Sequence, residues 1–107
     1  MATFGEFLRN ERIKKGLTQS DFGQIFGIIM TDMSKIENGH KKFPPANLEK
    51  LAEFLEMDFA KVKNLFVAEI LVEKAHKYKC SDDVFSVAES QSKYIKEKNV
   101  KQAVMKF

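Results

Sequence analysis

The chain has 107 residues, 44% hydrophobic and 31% charged, which gives one globular core and excludes disordered, collagen-like and low-complexity chains. A single cysteine, Cys80, excludes an internal disulfide scaffold; the first residues show no basic-then-apolar leader, and the stretch 65–72, broken by Glu69, is far shorter than the ~20 residues that cross a bilayer, so a soluble, reducing, cytoplasmic setting with no membrane partner is expected. The net charge of +3 is uneven: residues 1–57 hold eight basic and eight acidic side chains and residues 58–107 ten lysines against seven acids, so a nucleic-acid partner must be argued from a motif and not from charge.

The periodicity is helical almost throughout, with no period-two alternation. A first helix is expected from Phe4 to Lys15: Thr3 and Glu6 read as a capping box, Phe4 and Leu8 face inward, and Gly16 follows as the stop. Thr18 caps a second helix, about Gln19 to Phe26, with Phe22 and Phe26 on one face and Gly27 ending it. A third helix spans roughly Met30 to Asn38, with Met33 and Ile36 inward and Gly39 as terminator. His40 to Phe43 reads as a polar, basic loop, and Pro45 suits the first turn of a fourth helix. Leu48, Leu51, Ala52 and Leu55 make its stripe at i, i+3, i+4 and i+7. Asp58 caps a fifth helix reaching Lys79, and Ser81, Asp82 and Asp83 open a sixth over Val84 to Lys98. Val100, Ala103, Val104 and Phe107 keep helical spacing in the last stretch.

The segment from Leu17 to Ile28, followed by Met33-Ser34-Lys35-Ile36-Glu37-Asn38-Gly39, carries the functional signal. Two short helices joined by a tight turn cross steeply, so a residue where they meet must be tiny; Gly23 is. The turn needs a residue that accepts positive φ, and Gly27 supplies it. Ile28, Met33 and Ile36 close the apolar contact beneath the second helix. This is a helix-turn-helix pattern, whose second helix can lie in the major groove of DNA.

These residues resemble the phage-repressor and Cro-like (XRE-type) helix-turn-helix regulators. The likeness rests on G-L-T-Q at 16–19, the glycines at 23 and 27, M-S-K-I-E-N-G at 33–39, and then K-x-x-P-P and L-x-K-L-A (Leu48 to Ala52), over about residues 4–66. The resemblance implies a repressor-like five-helix bundle over residues 1–66; the helical periodicity beyond it adds a C-terminal helical extension over 67–107, so the whole chain is expected to be all-α. It implies a protein that binds double-stranded DNA and regulates transcription as a repressor or autoregulator; with no acid–base pair, nucleophile constellation or metal set in the sequence, a non-enzymatic, cofactor-free protein is expected. By the same resemblance Thr18 and Gln19 reach phosphate or a base edge, Met30, Thr31, Ser34 and Lys35 meet bases, and Asn38, His40, Lys41 and Lys42 follow the backbone. Arg12 and Glu37 match the family's internal ion pair between the first and third helices.

Ile29, Met30 and Asp32 depart from the polar start that the family gives its recognition helix. They motivate a rival: a protein-interaction module, antitoxin- or adaptor-like, on the same scaffold. Glu73, His76 and Cys80 have ligand-like spacing but are too few for a metal site. No nucleophile–base pair and no phosphate-cradling loop appears. Phe66 to Val72 is apolar almost all round a helix, which calls for a partner face. A homodimer through the extension, placing two recognition helices about 34 Å apart on a palindromic operator, is the expectation.

Overall fold

The computed structural model describes residues 2–105, with side chains described as far as residue 101. Among the described residues all regular structure is helical: α1 (Phe4–Lys14), α2 (Gln19–Ile25), α3 (Met30–Glu37), a 3-10 turn (Pro45–Asn47), α4 (Leu48–Leu55), α5 (Phe59–Lys77) and α6 (Asp83–Met105). The chain divides into two compact units, Met1–Ile70 and Leu71–Phe107.

The starts of α1, α2 and α5 follow polar caps. The Thr3 hydroxyl accepts the Glu6 amide at 3.2 Å, Thr18 accepts the Asp21 amide at 3.0 Å, and the Asp58 carboxylate accepts the Ala60 amide at 3.2 Å. Such a cap contributes about 1 kcal/mol. The start of α3 lacks one: Ile29 sits at the N-cap with no side-chain hydrogen bond.

Helices α1 to α5 share one kind of ending. The last turn closes on a residue with positive φ, whose amide bonds back three residues while the next amide bonds back five. The closing residues are Gly16, Gly27, Gly39, Glu56 and Lys79. At Gly27 (φ 68°) the pair is Gly27 N–H to Gln24 carbonyl at 3.3 Å and Ile28 N–H to Gly23 carbonyl at 2.8 Å. Glu56 and Lys79 hold the same conformation at φ 55° and 54° without being glycine. Hence α5, expected to reach Lys79, stops at Lys77: Lys79 is the left-handed residue that turns the chain. Pro45 opens a short 3-10 turn ahead of α4 and not α4 itself. The sixth helix runs on to Met105, taking in the separately noted Val100, Ala103 and Val104; Phe107 lies outside the described residues.

The first unit encloses a phenylalanine-rich core. Phe4, Leu8, Phe22, Met33, Ile36, Leu51, Val62 and Phe66 are among its buried members. Phe43 is only 1% exposed, its ring centroid 6.2 Å from Phe4 and 5.4 Å edge-on from Phe26. The expected polar loop at 40–43 therefore ends in a core residue, which joins the aromatic rings of α1 and α2. The Asn47 amide donates to the Phe26 carbonyl at 3.1 Å and ties the following turn to the end of α2.

Gly5 is a close-approach point that periodicity does not reveal. A Cβ there would stand 2.6 Å from the carbonyl oxygens of both Ile36 and Glu37, so α1 touches the end of α3 backbone to backbone.

In the second unit, the last turns of α5 and the first of α6 line an apolar cavity of about 230 Å³, bounded by Leu71, Ala75, Tyr78, Val84, Phe85 and Ala88. Further along α6, Tyr94 and Ile95 are 64% and 55% exposed. Among the described residues no helix is long and apolar enough to cross a membrane.

Candidate nucleic-acid interface

Met33, Ile36 and Glu37, at i, i+3 and i+4 of α3, are buried. The other side of that eight-residue helix must therefore face outward. It carries Thr31, Ser34, Lys35 and Asn38 at i, i+3, i+4 and i+7; three are exposed and Ser34 is half-buried. Lys35 makes no ion pair with a described residue. Ile29 and Met30 stand at the helix start, 66% and 54% exposed. The tip is thus apolar and the outer ridge polar, with one available cation.

The crossing of α2 and α3 depends on Gly23. A Cβ at this position would overlap the backbone carbonyl of Ile28 and lie 3.6 Å from the Cβ of Met33. Any larger residue pushes the turn away from α2 and tilts the ridge.

A buried polar network fixes the ridge from beneath. Arg12 donates to Glu37 through both arms, Nε to Oε2 at 2.8 Å and Nη2 to Oε1 at 3.1 Å. Its Nη1 donates to the Leu17 carbonyl at 2.8 Å, and Gln19 Nε2 donates to Glu37 Oε1 at 3.2 Å. The Glu37 side chain is 1% exposed and that of Arg12 12%. This forked pair links α1, the α1–α2 loop, α2 and α3. Gln19 is half-buried, and its amide is engaged by Glu37, the chain's own carboxylate. Thr18 is exposed, its hydroxyl oxygen accepting the Asp21 amide.

The loop after α3 presents Asn38, His40, Lys41 and Lys42, all exposed. Lys41 is not a spare cation. Its Nζ lies 3.0 Å from Asp32 Oδ2 in the first turn of α3. Asp32 and Lys41 are nine positions apart across a helix end, so nothing local in the sequence shows that they meet. The pair cancels a carboxylate that would repel phosphate and occupies a lysine that would attract it. Lys42 Nζ is 4.0 Å from Glu69 Oε2. Glu73, His76 and Cys80 form no metal-holding group among the described residues.

Comparison with known proteins matches the sequence of this unit to a described domain family. A helix-turn-helix domain family matches residues 3–65. The chain is 38% identical over 60 residues to the HTH-type transcriptional repressor RghR of Bacillus subtilis (strain 168), covering 55% of this chain and 44% of that protein. It is also 38% identical over 69 residues to the uncharacterized HTH-type transcriptional regulator RghRB of the same organism, covering 64% and 48%. The chain spans about half the length of these curated relatives. No solved structure matches it.

Proposed function

From the premise that the chain belongs to the helix-turn-helix domain family, we propose that it is a sequence-specific DNA-binding transcriptional regulator that lays α3 in the major groove. The observation that carries this is the outward ridge of Thr31, Ser34, Lys35 and Asn38 on a helix locked from below by Glu37 and Arg12. Lys35 donates to guanine O6 and N7, a contact worth about 1–3 kcal/mol against a wrong base. Met30 and Thr31 offer apolar contact to thymine methyl groups. Thr18, Gln19, Asn38 and His40 follow the sugar-phosphate rails, and Lys41 and Lys42 join them in so far as phosphate competes with their own acidic partners, Asp32 for Lys41 and Glu69 for Lys42.

The protein acts as a cytoplasmic homodimer through residues 67–107, with residues 1–66 as the DNA-binding domain, and reads a palindromic operator. It represses, as the name of RghR says of that relative. Its work is binding and not catalysis.

The test is selection from random duplex DNA, then fluorescence anisotropy over a salt series. A regulator enriches one site, survives competitor DNA and weakens steeply with salt. Lys35→Ala relaxes discrimination at one base pair, whereas Lys42→Ala weakens all sequences alike. The exposed Ile29 and Met30 and the engaged Lys41 favour a second reading, a protein-binding module on the same scaffold. Equal binding to every sequence, or none at low salt, supports that reading instead.

A further inference from the structure

The sixth helix carries an unpartnered stripe and a charge order that together name its partner. Val87, Ala88, Tyr94 and Ile95 recur on one side of α6 at helical spacing, with Gln91 at the middle of the stripe; Ala88, at its near end, also borders the cavity against α5. All are exposed; Val87, Tyr94 and Ile95 are 54%, 64% and 55% accessible. A helix this open gains little from propensity alone and is stabilised by whatever covers its apolar side. The charges divide along its length. Residues 82–91 hold Asp82, Asp83 and Glu89 and no base; residues 92–101 hold Lys93, Lys96, Lys98 and Lys101 against Glu97.

We propose that α6 pairs with α6 of a second copy of this chain in antiparallel orientation, with Gln91 at the two-fold axis. This rests on the homodimer reading above and specifies its interface. A two-fold at residue 91 sets residue i against residue 182 − i of the partner. Val87 then meets Ile95, and small Ala88 meets large Tyr94, which suits close packing. Glu89 and Lys93, which meet at 3.0 Å within one chain, lie on the opposite side of α6 and stay outside the seam. The acidic end of each helix lies along the lysine-rich end of the other. A parallel pairing would instead set acids on acids and lysines on lysines, and like charges across an interface are unfavourable. The contact is isologous, the commonest form of dimer symmetry.

The experiment uses the full chain with Cys80→Ser as background. Val87→Cys and Ile95→Cys proteins are oxidised separately and as a mixture, and light scattering is run on the wild type and on Ile95→Asp. The proposal expects a cross-linked dimer in the mixture, little from either protein alone, a wild-type dimer, and an Ile95→Asp protein that scatters as one chain while keeping its helical circular dichroism. Cross-linking of each protein with itself indicates parallel helices and overturns the proposal. A dimeric wild type whose Ile95→Asp variant stays dimeric also overturns it, leaving the dimer reading in place. A monomeric wild type over the whole concentration series overturns both.

Discussion

Removing the Glu37 carboxylate should be among the most damaging single changes in the first unit. The side chain is 1% exposed and accepts three hydrogen bonds, two from Arg12 and one from Gln19. Glu37→Leu leaves a guanidinium that is 12% exposed, with only the Leu17 carbonyl for company. Breaking a buried pair in this way costs about 3–5 kcal/mol. Arg12 keeps one acceptor and a little solvent, so the low end applies, about 3 kcal/mol. For a domain this size that lowers Tm by roughly 15 °C. The double variant Arg12→Met/Glu37→Leu removes both charges and should recover most of the loss, because a buried pair replaced by apolar side chains is often close to neutral. Urea unfolding followed by circular dichroism measures all four corners of the cycle. A Glu37→Leu cost below about 1 kcal/mol, or a double variant no more stable than the single, would refute the network as the lock between α1 and α3.

Gly5→Ala should destabilise by about 1–3 kcal/mol in the same assay, despite alanine's better helix propensity, since its Cβ would press on two backbone carbonyls that cannot rotate away. Glu56→Gly should stabilise by up to about 1 kcal/mol, because position 56 is held at φ 55°; no gain in the urea midpoint would mean that Glu56 carries no strain there. Asp32→Asn should tighten DNA binding and steepen its salt dependence by about one phosphate contact, since it frees Lys41; an unchanged slope would show that Lys41 does not reach the rails.

The parts of the fold that sequence reveals are those where one residue type does one physical job. Gly16, Gly27 and Gly39 mark the ends of the first three helices because a left-handed residue is needed there and glycine takes it without strain. Glu56 and Lys79 do the same job with ordinary side chains, so the end of α5 reads two residues late. Phe43 hides among polar loop residues, where no period tells inside from outside. Gly5 looks like a weak helix residue until α3 is seen against it.

The site divides in the same way. The outward ridge of α3 follows from its buried face, which the spacing of Met33 and Ile36 already fixes. The Asp32–Lys41 contact and the Gln19–Glu37 hydrogen bond join residues nine and eighteen apart, and only tertiary structure brings them together. Both bear on charge at the interface, which a one-dimensional count of lysines misjudges.

The most direct measurement is an amide NMR titration of the isotope-labelled chain with the duplex recovered from random selection. If α3 lies in the groove, the largest shifts fall on Thr31, Ser34, Lys35 and Asn38, with smaller ones at Thr18, His40 and Lys42. Shifts centred elsewhere, with those four amides unmoved at saturation, would contradict major-groove reading by this helix.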